Sequence, residues 1–230
     1  MTPARATALV LVLALAACRK PAAPVSSDDT GGVKGAFFEA IQRDDAAAVE
    51  AALAREPPLR DAPANGGWAP LHVIAQVGAE KTTRLLLAAG AVREVRFQGK
   101  TPLGVAIEGR KLAVAKLLVD GKARVDDVDG QGHTALHLAA QKGLNDLISY
   151  LLDRGMNIDE RSHNRYGSTP LQDAALEGQV ESARLLLDRG ANPNIVNSFG
   201  YAPLDDARDN QALVTLLKQH GARLGKEVGR

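Results

Sequence analysis

This sequence is short of several things, and each shortage closes off a class of protein. It has one cysteine in 230 residues, so no intramolecular disulfide framework can hold it together. Aromatic residues make up 3 %, as one Trp, three Tyr and four Phe, so the core has to be built from Leu, Ala, Val and Ile. No sign of charge dominates: 28 bases stand against 27 acids, a formal net charge of +1. That balance argues against a nucleic-acid binder and against a polybasic membrane surface. The apolar stretch at residues 6–17 has 12 members, too few for a bilayer span, which needs about 18 or more. G-x-S-x-G, H-E-x-x-H and a P-loop are all missing, and no cofactor is expected. What is left, 45 % hydrophobic and 24 % charged residues, is ordinary for a folded chain and enough for one or two well-buried domains.

What is present begins at Cys18. A short basic start with Arg5, the apolar stretch and small residues at its end are the parts of a secretory signal peptide, residues 1–17. The four residues 15–18, Leu-Ala-Ala-Cys, resemble the lipobox of bacterial lipoproteins. The resemblance implies cleavage before Cys18, a lipid on its sulfur and an acyl chain on its new amino group. Several chains on one residue anchor stably, since each buried methylene contributes about 0.8 kcal/mol. Arg19, where the inner-membrane retention signal usually has Asp, favours an outer-membrane lipoprotein facing the periplasm. Loss of Arg5 with the signal leaves 27 bases against 27 acids, so lipid and not charge would supply the attachment. No thiol would remain free, which suits an oxidising compartment. After Cys18 the chain up to Val33 is dominated by Pro, Ser, Asp and Gly, the composition of a flexible tether. Its 15 residues from Arg19 reach about 50 Å when extended.

The remaining chain follows one period. Pro70, Pro102, Ala135, Pro170 and Pro203 are spaced 32, 33, 35 and 33 apart, inside NGGWAPLHVIA, QGKTPLGVAIE, GQGHTALHLAA, RYGSTPLQDAA and SFGYAPLDDAR. A leucine-rich segment and a turn follow each: LLLAAGA, LLVDGKA, LLDRGMN, LLLDRGA and LLKQHGA. This pattern resembles the ankyrin repeat, whose period is about 33 and whose motif is T-P-L-H-x-A. The resemblance implies an all-α repeat solenoid, helix-turn-helix units with β-hairpin fingers, over residues 34–224 with a tail at 225–230. Six units are expected, at 34–64, 65–96, 97–128, 129–163, 164–196 and 197–224, the first and last being degenerate polar caps. Thr101, Thr134 and Thr169 stand where N-caps are wanted, and Gly90, Gly155, Gly190 and Gly221 where a left-handed residue ends a helix. Lys122 takes the place of such a glycine behind Gly121, so that helix is expected to end one residue early, and Arg110 replaces a turn glycine. Ala69 and Ala202 replace the threonine cap, which predicts fraying at both ends of the stack.

Two chemical motifs compete with the repeat. Gly130, Gly132 and Ala135 spell G-x-G-x-x-A, but RVDDVD precedes them where a dinucleotide site needs an apolar strand. His133 and His137 have the i, i+4 spacing of metal ligands. In the repeat register, however, His137 and His72 fall where the family places a structural histidine, and His133 lies on a finger. Asp127 begins an apparent calcium loop whose twelfth position is Leu138, where glutamate would be required. No metal site and no enzyme are expected.

Recognition remains. Ankyrin partners meet the finger tips and the exposed face of the first helices, on the concave side. The fingers here carry Trp68; Phe97, Gln98 and Lys100; Gln131 and His133; Arg165, Tyr166 and Ser168; and Phe199 and Tyr201. Five of the eight aromatics stand in that set, and Trp, Tyr and Arg are the residues that interfaces favour. The competing expectation is that each ring packs on the next finger and only stiffens it. Gln76, Glu108, Gln141, Lys142, Leu176 and Glu177 would extend the surface onto the helices. The expected partner is another protein, with no nucleic acid, with membrane contact through the lipid alone, and with a monomeric chain. Expected roles are inhibitor or immunity protein, or adaptor of a secreted or envelope enzyme; the alternatives are a glycan or cell-wall binder and a structural spacer.

Overall fold

The computed structural model describes residues 32–207 and 210–228. Cys18, the expected signal peptide and the tether as far as residue 31 lie outside the described residues. Among the described residues twelve α-helices follow one another in six pairs. They are α1 (Val33–Gln42) with α2 (Ala46–Arg55), α3 (Pro70–Val77) with α4 (Glu80–Ala88), and α5 (Pro102–Glu108) with α6 (Leu112–Asp120). Then come α7 (Ala135–Gln141) with α8 (Asn145–Leu152), α9 (Pro170–Leu176) with α10 (Val180–Asp188), and α11 (Pro203–Asp206) with α12 (Gln211–Gln219). No strand forms among the described residues, and no helix there is long and apolar enough to cross a membrane.

Local chemistry sets the helix ends. Thr101, Thr134 and Thr169 accept hydrogen bonds from the backbone three residues on, at 3.2, 3.4 and 3.3 Å, and proline fills the first helical position of α3, α5, α9 and α11. The left-handed stops are Gly90, Gly155, Gly190 and Gly221, with φ of 79°, 82°, 93° and 78°. Helix α6 departs from expectation. It does not stop early, because Lys122 itself takes the left-handed conformation at φ 69° while Gly121 stays at −70°. Arg110 does the same at φ 56° and donates to the Lys142 carbonyl oxygen at 2.7 Å.

First helices stack on first helices and second on second along the whole series. The interior between these layers is aliphatic, with Leu71, Ile74, Leu86, Leu103, Ile107, Leu118, Leu136, Leu147 and Ile148 fully buried. The N-terminal end is the exception to the aliphatic expectation. Phe37 and Phe38 are each 1 % exposed and meet edge to face at 5.4 Å. Among the described residues the first pair has a neighbouring pair on one side only, and the two rings fill the core at that end.

The fingers are turns and not ladders. Each is closed by its own backbone bond, Ala64 N to Trp68 O, Val128 N to His133 O, Ser162 N to Ser168 O and Asn197 N to Tyr201 O, all at 2.8 Å. Only Phe97 and Lys100 exchange two bonds, both at 3.0 Å. Side chains intercept the donors that a longer ladder would use. Asp129 accepts from Gln131 N and His133 N, Asn164 from Tyr166 N and Gly167 N, and Asn197 from Phe199 N and Tyr201 N. These Asx turns stand at one repeat position and fix three finger tips.

Candidate protein-binding surface

Three of the fingers are each held to the preceding first helix by one side chain. His72 Nε2 donates to the Lys100 carbonyl at 3.1 Å, His137 Nε2 to that of Ser168 at 2.9 Å, and Gln172 Nε2 to that of Tyr201 at 2.7 Å. His137 Nδ1 accepts from Thr134 Oγ1 at 2.8 Å, so both ring nitrogens serve the scaffold. Burial holds the His137 pKa down at about 4, which keeps the ring neutral. At His72 the threonine is replaced by Ala69, and Nδ1 has no partner; burial lowers its pKa as well. Gly104 occupies the same position and has no side chain to reach with. There the next finger packs backbone to helix, with Val128 O accepting from Thr101 N at 3.0 Å and Thr101 Oγ1 at 3.1 Å.

On this scaffold the finger residues separate into two aromatic pairs. Trp68 is half-buried, tilted at 52° against Phe97 with 5.7 Å between centroids, and edge-on to His72. Gln98 is exposed beside this pair, while Lys100 is tied to Glu108 at 2.5 Å. The second pair is Tyr166 and Phe199, 5.6 Å apart and tilted at 46°. Arg165 lies over the Tyr166 ring at 4.8 Å and donates to its hydroxyl at 2.7 Å. Phe199 and Tyr201 are 57 % and 45 % exposed. So rings do pack from finger to finger, yet the C-terminal pair leaves a large apolar area in water. Leu176, at the end of α9, is a further exposed apolar side chain.

Between the two pairs lies a polar centre whose depth the sequence did not disclose. Ser168 is buried, its hydroxyl against that of Ser162 at 3.1 Å, so its side chain is a strut and not a contact surface. His133 is also largely inside, with 13 % of its side chain exposed, and its Nδ1 donates to Asp129 Oδ2 at 2.6 Å. Burial opposes the charged imidazole, but Asp129, Asp173 and Asp127 outweigh it and raise the His133 pKa above the usual imidazole value. Burial likewise opposes the Asp129 carboxylate, and its bonds with His133 and the finger backbone prevail, leaving its pKa lowered. Asp173, on α9, is buried with Gln141 Nε2 at 3.4 Å, and burial pushes its pKa up to about 6. Sequence spacing passed over Asp173, because a carboxylate beside a helix start resembles any exposed cap. Gln131 and Arg165 are exposed as expected. No group of three His, Cys, Asp or Glu side chains is arranged to hold a metal among the described residues.

The fold and the comparisons agree. The family model described as ankyrin repeats (3 copies) matches residues 37–129 and 122–197. The chain belongs to the ankyrin-repeat family. The ankyrin domain of Bcl-3 superposes with a TM-score of 0.73 at 27 % identity, covering 82 % of this chain and 86 % of that one. An ankyrin domain from Acinetobacter baumannii gives a TM-score of 0.70 at 26 % identity, over 81 % of this chain and 98 % of its own. The glycerophosphocholine phosphodiesterase GDE1 of Candida albicans is 31 % identical over 143 residues, 61 % of this chain but 12 % of that protein. The chain thus spans about an eighth of that relative, whose named activity belongs to the whole enzyme. Ankyrin-repeat domains generally mediate protein–protein interaction and are typically non-enzymatic binding modules.

Proposed function

We propose that this chain is a lipid-anchored ankyrin solenoid of the bacterial envelope, held by Cys18 at the outer membrane, that binds one protein partner through its concave fingers. Six repeat units, the outer two serving as caps, present the surface. The observation that carries the binding assignment is the exposed pair Phe199 and Tyr201 beside Arg165 and Tyr166, in a chain with 3 % aromatics. Well-packed aromatic and arginine anchors dominate the energetics of protein interfaces. The tilts of 46° and 52° within the two ring pairs offer edges and a notch, which suits a protein surface better than the flat stacking platform a sugar ring needs. The lipobox, the tether and Arg19 support the anchored location, and an inhibitor, immunity or adaptor role follows from a rigid monomeric binder placed there.

The test is capture from an envelope extract by the full chain carrying a C-terminal tag, beside a Phe199→Ala/Tyr201→Ala variant of unchanged helicity. One protein held by the parent and lost by the variant is the expected result. Equal capture by both, or retention on sedimented cell wall in place of a protein, would overturn the assignment.

A further inference from the structure

We infer that the C-terminal finger surface is gated by the protonation of His133, through the side-chain amide of Asn164. Asn164 makes the Arg165–Tyr166 finger tip: its Oδ1 accepts from Tyr166 N at 2.9 Å, Gly167 N at 3.2 Å and Ser162 Oγ at 3.0 Å. Those bonds fix which end of the amide is oxygen, so Nδ2 is the end that faces His133 Nε2, at 3.3 Å. On the other side of the ring, His133 Nδ1 donates to Asp129 Oδ2 at 2.6 Å. Neutral His133 therefore presents the lone pair of Nε2, and Asn164 donates to it. Protonated His133 presents a second N–H, and two donors then face each other. Rotating the amide to relieve this would take Oδ1 away from the Tyr166 and Gly167 amides. One proton thus links the buried centre to the finger that carries Arg165 and Tyr166.

The carboxylates around the ring favour the proton, and the neighbouring His137 ring is neutral. Asp127 and Asp129 face it from its own finger and Asp173 from α9, while the His137 ring on α7 lies 6.1 Å away. Glu160 and His163, an exposed pair at 3.6 Å, act on His137 with opposite signs. The carboxylates raise the titration above the ordinary imidazole value despite burial, so the gate is closed and ordered on the alkaline side of that midpoint and loosened as pH falls through it.

This inference rests on the finger surface being the binding site, but its test needs no partner. In the 15N-labelled full chain, the His133 ring and the Tyr166 and Gly167 amides are followed together from pH 8.5 to 5.5. The amide shifts are expected to titrate with the His133 midpoint, and their exchange protection to fall about fivefold on the acid side, the scale of one lost hydrogen bond. Asn164→Asp reverses the sign. Its second carboxylate oxygen accepts from protonated His133, so the midpoint moves up and the Tyr166 and Gly167 amides stay protected throughout. Amides that stay flat while His133 titrates, or that follow the Asp173 midpoint, would overturn the gate. So would an Asn164→Asp midpoint equal to or below that of the parent. Failure of partner capture with an intact gate would instead remove the binding assignment and leave the gate standing.

Discussion

The junction between the α5–α6 and α7–α8 pairs and the junction between α7–α8 and α9–α10 come from one repeat pattern but are held differently. At the second, the buried His137 reaches buried backbone, Nε2 to Ser168 O at 2.9 Å, and two half-buried bonds join it, Gln179 Nε2 to Gln141 O at 3.1 Å and Ser182 Oγ to Asn145 Oδ1 at 2.7 Å. At the first, Gly104 has nothing to extend, and the links on the outer side are exposed. Tyr150 and Arg154 both bond Asp120 at 2.6 Å, where solvent screens them. A groove of about 440 Å³ opens beside this junction, lined by Val125, Arg154, Met156 and Glu160 among others. Nearly equal periods thus produce unequal cohesion. A hydrogen bond to a buried carbonyl is the one whose loss is expensive, because the carbonyl cannot turn to water.

The largest expected effect tests the stronger junction. His137→Ala leaves the Ser168 carbonyl and Thr134 hydroxyl without their partner and opens a void, which should cost about 3 kcal/mol in urea unfolding; a cost below half of that would show the staple to be incidental. Gly104→Ala probes the weaker junction by overpacking, since a Cβ there would collide with the Val128 carbonyl oxygen. The expected cost is about 2 kcal/mol. A neutral outcome would mean that this finger moves away freely.

The buried carboxyl of the second junction gives a prediction with a sign. Folded Asp173 titrates at about 6, above an unfolded aspartate at about 3.9. The folded state therefore binds the proton more tightly, and this group's contribution is full below about pH 4 and lost as pH rises through about 6. Asp173→Asn should accordingly stabilise the protein by about 3 kcal/mol at pH 7.5 and by nothing near pH 3.5. The smallest change repairs a staple elsewhere: Ala69→Thr caps α3 and offers a partner to the unpaired His72 Nδ1, for a gain of about 1 kcal/mol. If thermal melting shows no gain, the unpaired nitrogen is already satisfied by water.

Much of the frame could be read from residues whose chemistry is local. Threonine before proline marks the helix starts at Pro102 and Pro170, and Gly90, Gly155, Gly190 and Gly221 mark stops because only glycine adopts positive φ without strain. The failures share a cause. Lys122 and Arg110 took the left-handed conformation themselves, because the chain turns there whichever residue stands at the position. Ser168 and His133 occupy tip positions in the register yet lie inside, because the finger folds back over the next helix by a depth that spacing does not encode. Asp173 became a titrating group only through burial between α7 and α9. The Asx turn at Asn164 was open to inspection, since Asp129 and Asn197 share its place in the repeat, but its contact with His133 crosses between units and was not.

The central claim is that the C-terminal fingers are where a partner protein sits. Photo-crosslinking in intact cells tests it most directly, with a photoreactive residue at Tyr201 on the fingers or at exposed Arg184 on α10 of the outer layer. One discrete adduct from position 201 and none from 184 is the result expected. Adducts from 184 alone, or the same background from both, would contradict it.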